Sequence, residues 1–361
     1  MSFKYSFVHR HLLPLISGIP YHTLKGRSFS PLIVQIDLTY RCNLDCEICY
    51  QKLATIDTAK ELTLDVIKKI VSNTPSYSTI TFSGGEPFLR KDIDEILDFT
   101  LQKRRCNILT NGTLISKRSL KCIVEKKLFL LGISIDGNEE IHDKIRKKKG
   151  CYKTVIQTIK NIQDYKKAYK TKFPLIDIKT VITPENQSIL FDILSFAEQI
   201  KADFFTLSLP KDSSYQFTPP FYDNIESIKN TSILNATNRL NLKILLNQLE
   251  LIKNYKKNTY LRFYPFGMLN KNAIEKYINH KLTSSSFYPC KVPWFLICVS
   301  AYGDVYPCLS IKLGSMIQES MNSIWNGERF VNFRNQLRKD KIFPHCLYCC
   351  YLKYKGGHRD D

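Results

Sequence analysis

The sequence lacks any uninterrupted apolar run of the ~18 or more residues that a membrane-spanning helix needs. It also lacks the apolar N-terminal region and small-residue cleavage site of a signal peptide. Its 12 cysteines are too few for the disulfide scaffold of a secreted protein of this size, and they gather at two places in the chain. We therefore expect a cytoplasmic protein whose clustered cysteines bind metal or take part in catalysis.

Acidic residues are scarce relative to basic ones. Lys and Arg number 53 against 33 Asp and Glu, a formal net charge of +20. Such a surplus favours acidic partners, such as anionic cofactors or lipid headgroups, although a Lys-rich proteome would give the same balance. Residues 1–30 contain no acidic residue and carry Lys4, Arg10, Lys25 and Arg27. We expect this basic N-terminal extension either to contact an anionic membrane surface peripherally or to pack on the body of the protein.

The composition of the 361 residues, 43% hydrophobic and 24% charged, is typical of a globular protein. Apolar segments with strand character alternate with segments of helical spacing, and six such β/α units occupy residues 31–210. This alternation predicts an α/β fold with parallel strands. Because a complete (β/α)8 barrel typically needs ~250 residues, we expect a partial (β/α)6 barrel. Residues 211–287 are expected to form linker helices, and residues 288–361 a small C-terminal metal-binding domain.

Three cysteines, Cys42, Cys46 and Cys49, follow the first predicted strand. A structural zinc site usually has four ligands in two pairs, whereas this run offers three thiols and no nearby fourth Cys or His. Three thiolates on a tight loop can hold three corners of a [4Fe–4S] cluster and leave the fourth iron open to an outside ligand. A zinc loop or a set of buried structural thiols is the alternative.

The spacing of these cysteines, CxxxCxxC, resembles the signature of the radical S-adenosylmethionine (SAM) superfamily. The resemblance implies that the amino and carboxylate groups of SAM chelate the open iron. An electron from the reduced cluster then cleaves SAM to methionine and a 5′-deoxyadenosyl radical, which abstracts a hydrogen atom from the substrate. Ile48 departs from the family pattern, which usually has an aromatic residue before the last cysteine.

Further residues at predicted strand ends match positions that contact SAM in this family. The segment Ser83–Pro87 contains the family's GGEP motif one β/α unit after the cysteines, and the motif is implied to bind the SAM amino group. Ordinary turns and strand-end caps would use the same residue types. The implied SAM-binding residues are Gly84, Gly85, Glu86, Asn111, Ser134 and Asp136.

The segment from Ser134 to Arg146 resembles the S-[IL]-D-G…H-D-x-x-R signature of the branch of the superfamily that carries a SPASM or twitch extension. If the segment is helical, His142 and Arg146 share one face. A structural ion pair between Asp143 and Arg146 is an equal alternative to this arrangement. His142 is a candidate catalytic residue.

The second group of cysteines begins with a C-x12-G-x4-C pattern at Cys290 and Cys308, which matches the opening of a SPASM or twitch domain. The set is too short for two clusters, so the resemblance implies the twitch form with one auxiliary [4Fe–4S] cluster. Its expected ligands are Cys290, Cys308, Cys346 and Cys349, with Cys298 and Cys350 as rivals and a zinc knuckle as the alternative. The remaining cysteines are expected to be plain buried residues: Cys106, Cys122 and Cys151.

The resemblance implies a radical SAM oxidoreductase that receives electrons from a flavodoxin or ferredoxin. Its expected reaction is oxidation or cross-linking of a peptide or protein side chain. Dehydrogenation or rearrangement of a small polar metabolite, of sugar or cyclitol type, is the alternative. A non-catalytic zinc protein that binds nucleic acid is a remote third interpretation, supported by the charge of +20 alone. No recognised nucleic-acid motif accompanies that charge, so we expect no nucleic-acid partner.

Overall fold

The computed structural model describes residues 13–49, 51, 56–211, 221–226 and 239–356. These residues form one ten-stranded sheet with the strand order β10-β9-β8-β1-β2-β3-β4-β5-β6-β7. The strands are β1 Ile33–Asp37, β2 Thr79–Ser83, β3 Arg105–Thr110, β4 Leu130–Ser134, β5 Leu175–Val181, β6 Phe204–Ser208, β7 Tyr260–Tyr264, β8 Leu296–Val299, β9 Asp304–Tyr306 and β10 Gly314–Ser315.

The described residues also form eleven α-helices, most of which connect successive parallel strands. They are α1 Leu13–Thr23, α2 Leu64–Asn73, α3 Ile93–Lys103, α4 Lys117–Glu125, α5 Glu139–Arg146, α6 Cys151–Ala168, α7 Leu190–Gln199, α8 Leu242–Asn254, α9 Lys271–Ile278, α10 Met321–Trp325 and α11 Glu328–Asp340. Sequence features set several helix starts: the side chains of Thr63, Ser116 and Asn138 accept hydrogen bonds from backbone N–H groups of the first turns of α2, α4 and α5.

The sheet confirms the expected α/β class with parallel strands and an open, incomplete barrel. Strands β1 to β7 run parallel to their neighbours, β8 pairs parallel with β1, and only β9 and β10 are antiparallel. The six predicted strands are all present. The structure adds β7 within the segment expected to contain linker helices only. This strand is five residues long, and Arg262 at its centre interrupts the apolar run that marks a buried strand.

The two faces of the sheet differ in chemistry. One face is apolar: Val34, Ile36, Ile80 and Phe82 belong to the same buried cluster as helix residues such as Ile67. On the other face, register pairing places polar side chains beside one another. We call this the polar face; it comprises Gln35, Asp37, Thr81, Ser83, Asn107, Ser134, Asp177, Lys179, Thr206, Ser208 and Arg262. Parallel strands are usually apolar on both faces, so the polar face marks where a ligand can be bound.

The described part of the N-terminal extension packs on the C-terminal segment. The ring of Tyr21 lies 4.8 Å from that of Trp294, and the Ser28 hydroxyl donates a hydrogen bond to the Trp294 carbonyl at 2.7 Å. Arg334 donates to the carbonyl of Gly26 at 3.2 Å. Lys4 and Arg10, two of the four basic residues behind the expected membrane contact, lie outside the described residues. Within the described part of the chain, none of the helices has the length and apolar character needed to cross a bilayer.

Candidate active site

The loop that carries Cys42, Cys46 and Cys49 leaves the end of β1 and lies directly against the turn after β2. Gly85 N–H donates to the carbonyl of Thr39 at 2.8 Å, and Glu86 N–H donates to the carbonyl of Arg41 at 2.9 Å. A Cβ atom on Gly85 would lie 2.2 Å from the Arg41 oxygen. Gly84 has a φ of +122°, and its Cβ would lie 2.3 Å from the Thr39 oxygen. Both glycines are therefore needed to bring the two chain segments together.

Glu86 holds the ends of β2 and β3 together. Its buried carboxylate accepts hydrogen bonds from Phe88 N–H at 3.1 Å, the Thr110 hydroxyl at 2.8 Å and Asn111 N–H at 2.8 Å. Burial raises the pKa of Glu86 to about 7, against the lowering effect of these hydrogen bonds. These three hydrogen bonds are all with the protein itself. A contact between Glu86 and SAM stays a prediction.

Asn111 locks the cysteine loop onto β3. Its side-chain Nδ2 donates to Oδ1 of Asn43 at 3.0 Å and lies 3.8 Å from the Cys42 sulfur. Its Oδ1 accepts from the backbone N–H of Thr113 at 2.9 Å. The Asn111 side chain thus positions the cysteine loop in this structure. The location of Asn111 after a strand predicted only a contact with SAM.

The three loop cysteines differ in their exposure to solvent. Cys42 is exposed, Cys46 is buried and Cys49 is intermediate. Burial raises the pKa of the Cys42 thiol, and the negative charges of Glu86, Cys46 and Cys49 raise it further. A bound cation would reverse this shift. Arg146 already provides one positive charge, because its guanidinium lies 3.6 Å from the Cys46 sulfur.

The signature from Ser134 to Arg146 builds a buried support behind this loop. Arg146 forms an ion pair with Asp136, whose other oxygen accepts from Val181 N–H at 3.1 Å. The expected alternative of an Asp143–Arg146 pair is therefore wrong. Asp143 instead accepts a hydrogen bond from the N–H of Tyr152 at 2.8 Å, near the start of α6.

His142 belongs to the same support. Its Nδ1 accepts a hydrogen bond from Asp136 N–H at 3.2 Å, so Nε2 carries the proton and faces the Cys151 sulfur at 3.5 Å. Burial and the charge of Arg146 lower the pKa of His142 to about 4, which keeps the ring neutral. With 1% of the residue exposed, the structure gives His142 no open path to a substrate. Ser134, by contrast, ends β4 on the polar face and is half-buried.

Four of the C-terminal cysteines line one small cavity. They are Cys290, Cys308, Cys346 and Cys349. Apolar and aromatic side chains form the remaining wall: Val292, Leu309, Tyr351 and Leu352. Burial raises the pKa of Cys290 to about 11, and it raises the pKa values of Cys308 and Cys346 as well, with added repulsion between the sulfurs.

The two rival cysteines lie outside this cavity lining. Cys298 is on β8, in register with Gln35 of the polar face. Cys350 lies near Lys211 and Lys179. Its pKa is lowered chiefly by a hydrogen bond with Cys349 and, to a smaller extent, by the positive charges of these two lysines. Of the cysteines expected to be plain residues, Cys106 and Cys151 are buried, whereas Cys122 is half-buried.

Two family models match this chain. The radical SAM superfamily model matches residues 36–186, and the SPASM iron–sulfur cluster-binding domain model matches residues 290–350. The chain therefore contains a radical SAM domain followed by a SPASM iron–sulfur domain. The first match contains the cysteine loop and its support, and the second contains the four-cysteine cavity.

Three relatives of this radical SAM protein illustrate its similarities. It is 35% identical over 149 residues to the Fe-coproporphyrin III synthase of Methanosarcina barkeri, a match that covers 40% of this chain and only 37% of the relative. It is 25% identical to the Bacillus subtilis subtilosin biosynthesis protein AlbA over 90% of this chain and 68% of AlbA. It is 26% identical to an AdoMet-dependent heme synthase of Methanosarcina barkeri over 91% of both chains.

A solved structure supports the fold alone. Streptococcus suis SuiB, bound to its precursor peptide SuiA, superposes with a TM-score of 0.63 at 16% sequence identity. The superposition covers 84% of this chain and 67% of SuiB.

The radical SAM protein carries a [4Fe–4S] cluster with SAM and an auxiliary iron–sulfur cluster, and its cysteines fit these groups. Among the described residues, no three His, Cys, Asp or Glu side chains form a group that could hold a single metal ion. The four C-terminal cysteines line one cavity, and four thiolates are the ligand set of a [4Fe–4S] cluster.

Asp37 is a polar-face residue that the sequence analysis did not single out. It ends β1, is completely buried, and accepts a hydrogen bond from the Tyr306 hydroxyl at 3.1 Å. Its Oδ1 has no hydrogen-bond partner among the described residues. Loss of solvation raises its pKa from 3.8 to about 7. An Asp at the end of an apolar strand, five residues before Cys42, was the available signal.

Replacing Cys349 and Cys350 separately tests the ligand set of the auxiliary cluster. We expect about eight iron atoms per reconstituted chain, and a fall toward about four in Cys349→Ala because the cavity loses a thiolate. Cys350→Ala serves as the matched control, since its sulfur lies outside the cavity lining, and it should retain the full iron content. Iron analysis and absorption spectra measure both. Loss of iron in Cys350→Ala with full iron in Cys349→Ala would reverse the assignment.

Asp37→Asn should alter the pH dependence of stability. Between the unfolded pKa of 3.8 and the folded value of about 7, the unfolded state releases the Asp37 proton and the folded state keeps it. As the pH rises through this range, the unfolding free energy of the wild type should therefore fall by about 1.4 kcal/mol per pH unit relative to that of Asp37→Asn. Above pH 7 the difference between the two proteins should stay constant. Denaturant unfolding followed by circular dichroism at several pH values measures the difference. A difference that is also constant below pH 7 would contradict the raised pKa.

Proposed function

We propose that this radical SAM enzyme oxidises or cross-links a side chain of a peptide or protein, beginning with removal of a hydrogen atom. The observation that carries the proposal is that the cysteine loop and two cysteines of the four-cysteine cavity flank the paired strands β1, β8 and β9 of one sheet, which has one polar face. The similarity to AlbA, a bacteriocin biosynthesis protein, over 90% of this chain supports a peptide substrate. The proposal includes a cytoplasmic setting and a flavodoxin or ferredoxin as the electron donor.

The residues of the chain have separate tasks in this proposal. When bound, the loop cluster and SAM supply the 5′-deoxyadenosyl radical. Cys42, Cys46 and Cys49 hold that cluster, while Asn111 and Arg146 fix the loop through their contacts with Asn43 and Cys46. The polar face presents hydroxyl, amide and charged groups that can hydrogen-bond a substrate in a fixed orientation, and such fixed orientation favours abstraction at one position.

The implied SAM contacts form a second part of the proposal. Gly84, Gly85 and Glu86 lie in the turn that touches the cysteine loop, and Asn111 and Ser134 end the next two strands of the sheet. Their common edge agrees with a ligand bound at the carboxyl ends of parallel strands. Asp136 is the weakest member of the set, because both its oxygens are engaged by Arg146 and Val181 in this structure.

A second candidate substrate is a small carboxylated molecule. The similarity to the heme synthase over 91% of both chains supports it, and so does the presence of Lys179 and Arg262 on the polar face. A sugar or cyclitol would use the Ser, Thr and Asn side chains of that face instead.

Cys46→Ala tests the catalytic cluster. We expect it to abolish formation of 5′-deoxyadenosine from SAM under a strong reductant, because a thiolate corner of the open cluster is lost. Cys122→Ala is the control, because Cys122 is a half-buried residue of α4 that belongs to neither cysteine site. This variant should still form 5′-deoxyadenosine. Chromatography of anaerobic reactions measures the product. Undiminished 5′-deoxyadenosine in Cys46→Ala would discard the assignment.

Deuterium transfer identifies the substrate class. An extract of cells grown in deuterated medium is separated into small molecules and macromolecules, and each fraction is incubated anaerobically with enzyme and unlabelled SAM. We expect deuterium in 5′-deoxyadenosine from the macromolecular fraction, with loss of transfer after protease treatment. Transfer from the small-molecule fraction alone would replace the peptide proposal by the second candidate.

A further inference from the structure

The polar face carries a compact ionic group on β5, β6 and β7. Asp177 Oδ2 lies 2.9 Å from Lys179 Nζ and 3.2 Å from a terminal guanidinium nitrogen of Arg262. Its other oxygen accepts a hydrogen bond from the Thr206 hydroxyl at 2.7 Å. One carboxylate is therefore shared by two cations.

This group has an excess of positive charge. Burial raises the pKa of Asp177, but the charges of Lys179 and Arg262 more than offset this effect and hold the pKa below its usual value, so the carboxylate is ionised. The Asp177 side chain is fully buried, whereas 30% of the Lys179 side chain and 18% of the Arg262 side chain remain exposed. The acid is thus enclosed and the cations are accessible to a ligand.

Other charged groups near these cations do not remove the excess. Lys211 adds another positive charge beside the Cys350 thiol. Burial raises the pKa of the nearby Tyr264 phenol to about 12, so this group stays neutral. Asp203 lies at the start of β6, where its carboxylate accepts from Ile176 N–H at 2.9 Å and faces Lys166. Asp37 belongs to β1, four strands away from β5 in the sheet order.

Both cations are held in place by their surroundings. A Cβ atom on Gly132 would lie 2.7 Å from Lys179 Cε, so the lysine chain crosses β4 where only a glycine leaves room. The Arg262 guanidinium lies 3.6 Å from the centre of the Phe204 ring. Lys179 is also in register with Ser134, an implied SAM contact. A group bound by these cations would consequently lie beside the SAM site.

We propose that Lys179 and Arg262 form an anion subsite that binds a carboxylate group of the substrate on the polar face. The inference rests on the proposed function, because it assumes that the substrate occupies this face. The planar guanidinium of Arg262 matches the geometry of a carboxylate, and the ammonium group of Lys179 adds a point charge beside it. The carboxylate belongs either to an acidic peptide or to a small carboxylated molecule.

Binding of two probe pairs to the reconstituted full-length protein tests the subsite. Coproporphyrin III is compared with its tetramethyl ester, and a fluorescently labelled Glu-rich peptide with its Gln-rich counterpart. We expect one acid probe to bind about tenfold or more tightly than its neutral partner. Preference within the porphyrin pair identifies the small-molecule source, and preference within the peptide pair identifies the peptide source. Equal binding of acid and neutral forms in both pairs would overturn the subsite.

Variants separate binding from a structural role. Lys179→Gln and Arg262→Gln should each weaken binding of the acid probe about tenfold. Lys243→Gln and Arg329→Gln, at exposed positions, are the controls and should bind the probe as the wild type does. Asp177→Asn should tighten binding, because it frees both cations. If the network is merely structural, all three substitutions should weaken binding of the acid probe equally. That result would overturn the proposal.

Formation of 5′-deoxyadenosine without substrate provides an independent check in the same variants. It should persist in the wild type and in the controls Lys243→Gln and Arg329→Gln, whose exposed side chains lie outside the polar face. If the wild type forms 5′-deoxyadenosine while Lys179→Gln and Arg262→Gln bind the acid probe as tightly as the wild type does, the subsite fails and the proposed radical chemistry stands. Absence of 5′-deoxyadenosine from the wild type would instead count against the proposed function.

Discussion

The close backbone contact between the turn after β2 and the chain entering the cysteine loop is the constraint on which the site depends. Gly84 and Gly85 have no side chain, and any Cβ there would overlap the carbonyl oxygens of Thr39 and Arg41. The contact fixes the first cysteine relative to the strand ends that follow. Glu86 then extends the contact to β3, because its carboxylate accepts from Thr110 and Asn111. A loop of three cysteines is thereby attached to a rigid sheet, so its sulfurs keep a defined geometry.

The polar face has an energetic consequence. A parallel sheet buried on both faces gains stability from apolar packing on both. On the polar face of this protein that gain is reduced to a small cluster of Leu130, Leu175 and Phe204. Buried polar groups are tolerated there because they bond to one another, as Asp177 does with Thr206, Lys179 and Arg262. Asp37 is the exception, since one of its oxygens lacks a described partner and its pKa is raised. Such exceptions are expected near functional sites.

Local sequence spacing predicted the parts of the site that depend on neighbouring residues. The cysteine triplet, the GGEP turn and the first six strands all have short-range patterns, and the radical SAM model matched a region that contains the triplet, the turn and β2 to β5. Partners far apart in the chain could not be predicted in the same way. Arg146 had an acid three residues away, in Asp143, yet it pairs with Asp136, because Asp143 is used at the start of α6. Strand β7 was missed because Arg262 gives it the pattern of an exposed segment.

The pairing of β8 with β1 has the widest consequence for the two cysteine sites. The predicted segments separate residues 31–210 from residues 288–361, yet the sheet runs without a break from one to the other. The cysteine loop leaves β1, and Cys290 and Cys308 flank β8 and its antiparallel partner β9. The hydrogen bond from Tyr306 to Asp37 joins the same strands on the polar face. Because the cysteine loop follows β1 while Cys290 and Cys308 flank the neighbouring pair of strands β8 and β9, the hydrogen bonds of the sheet hold the two cysteine sites in a fixed relation to each other.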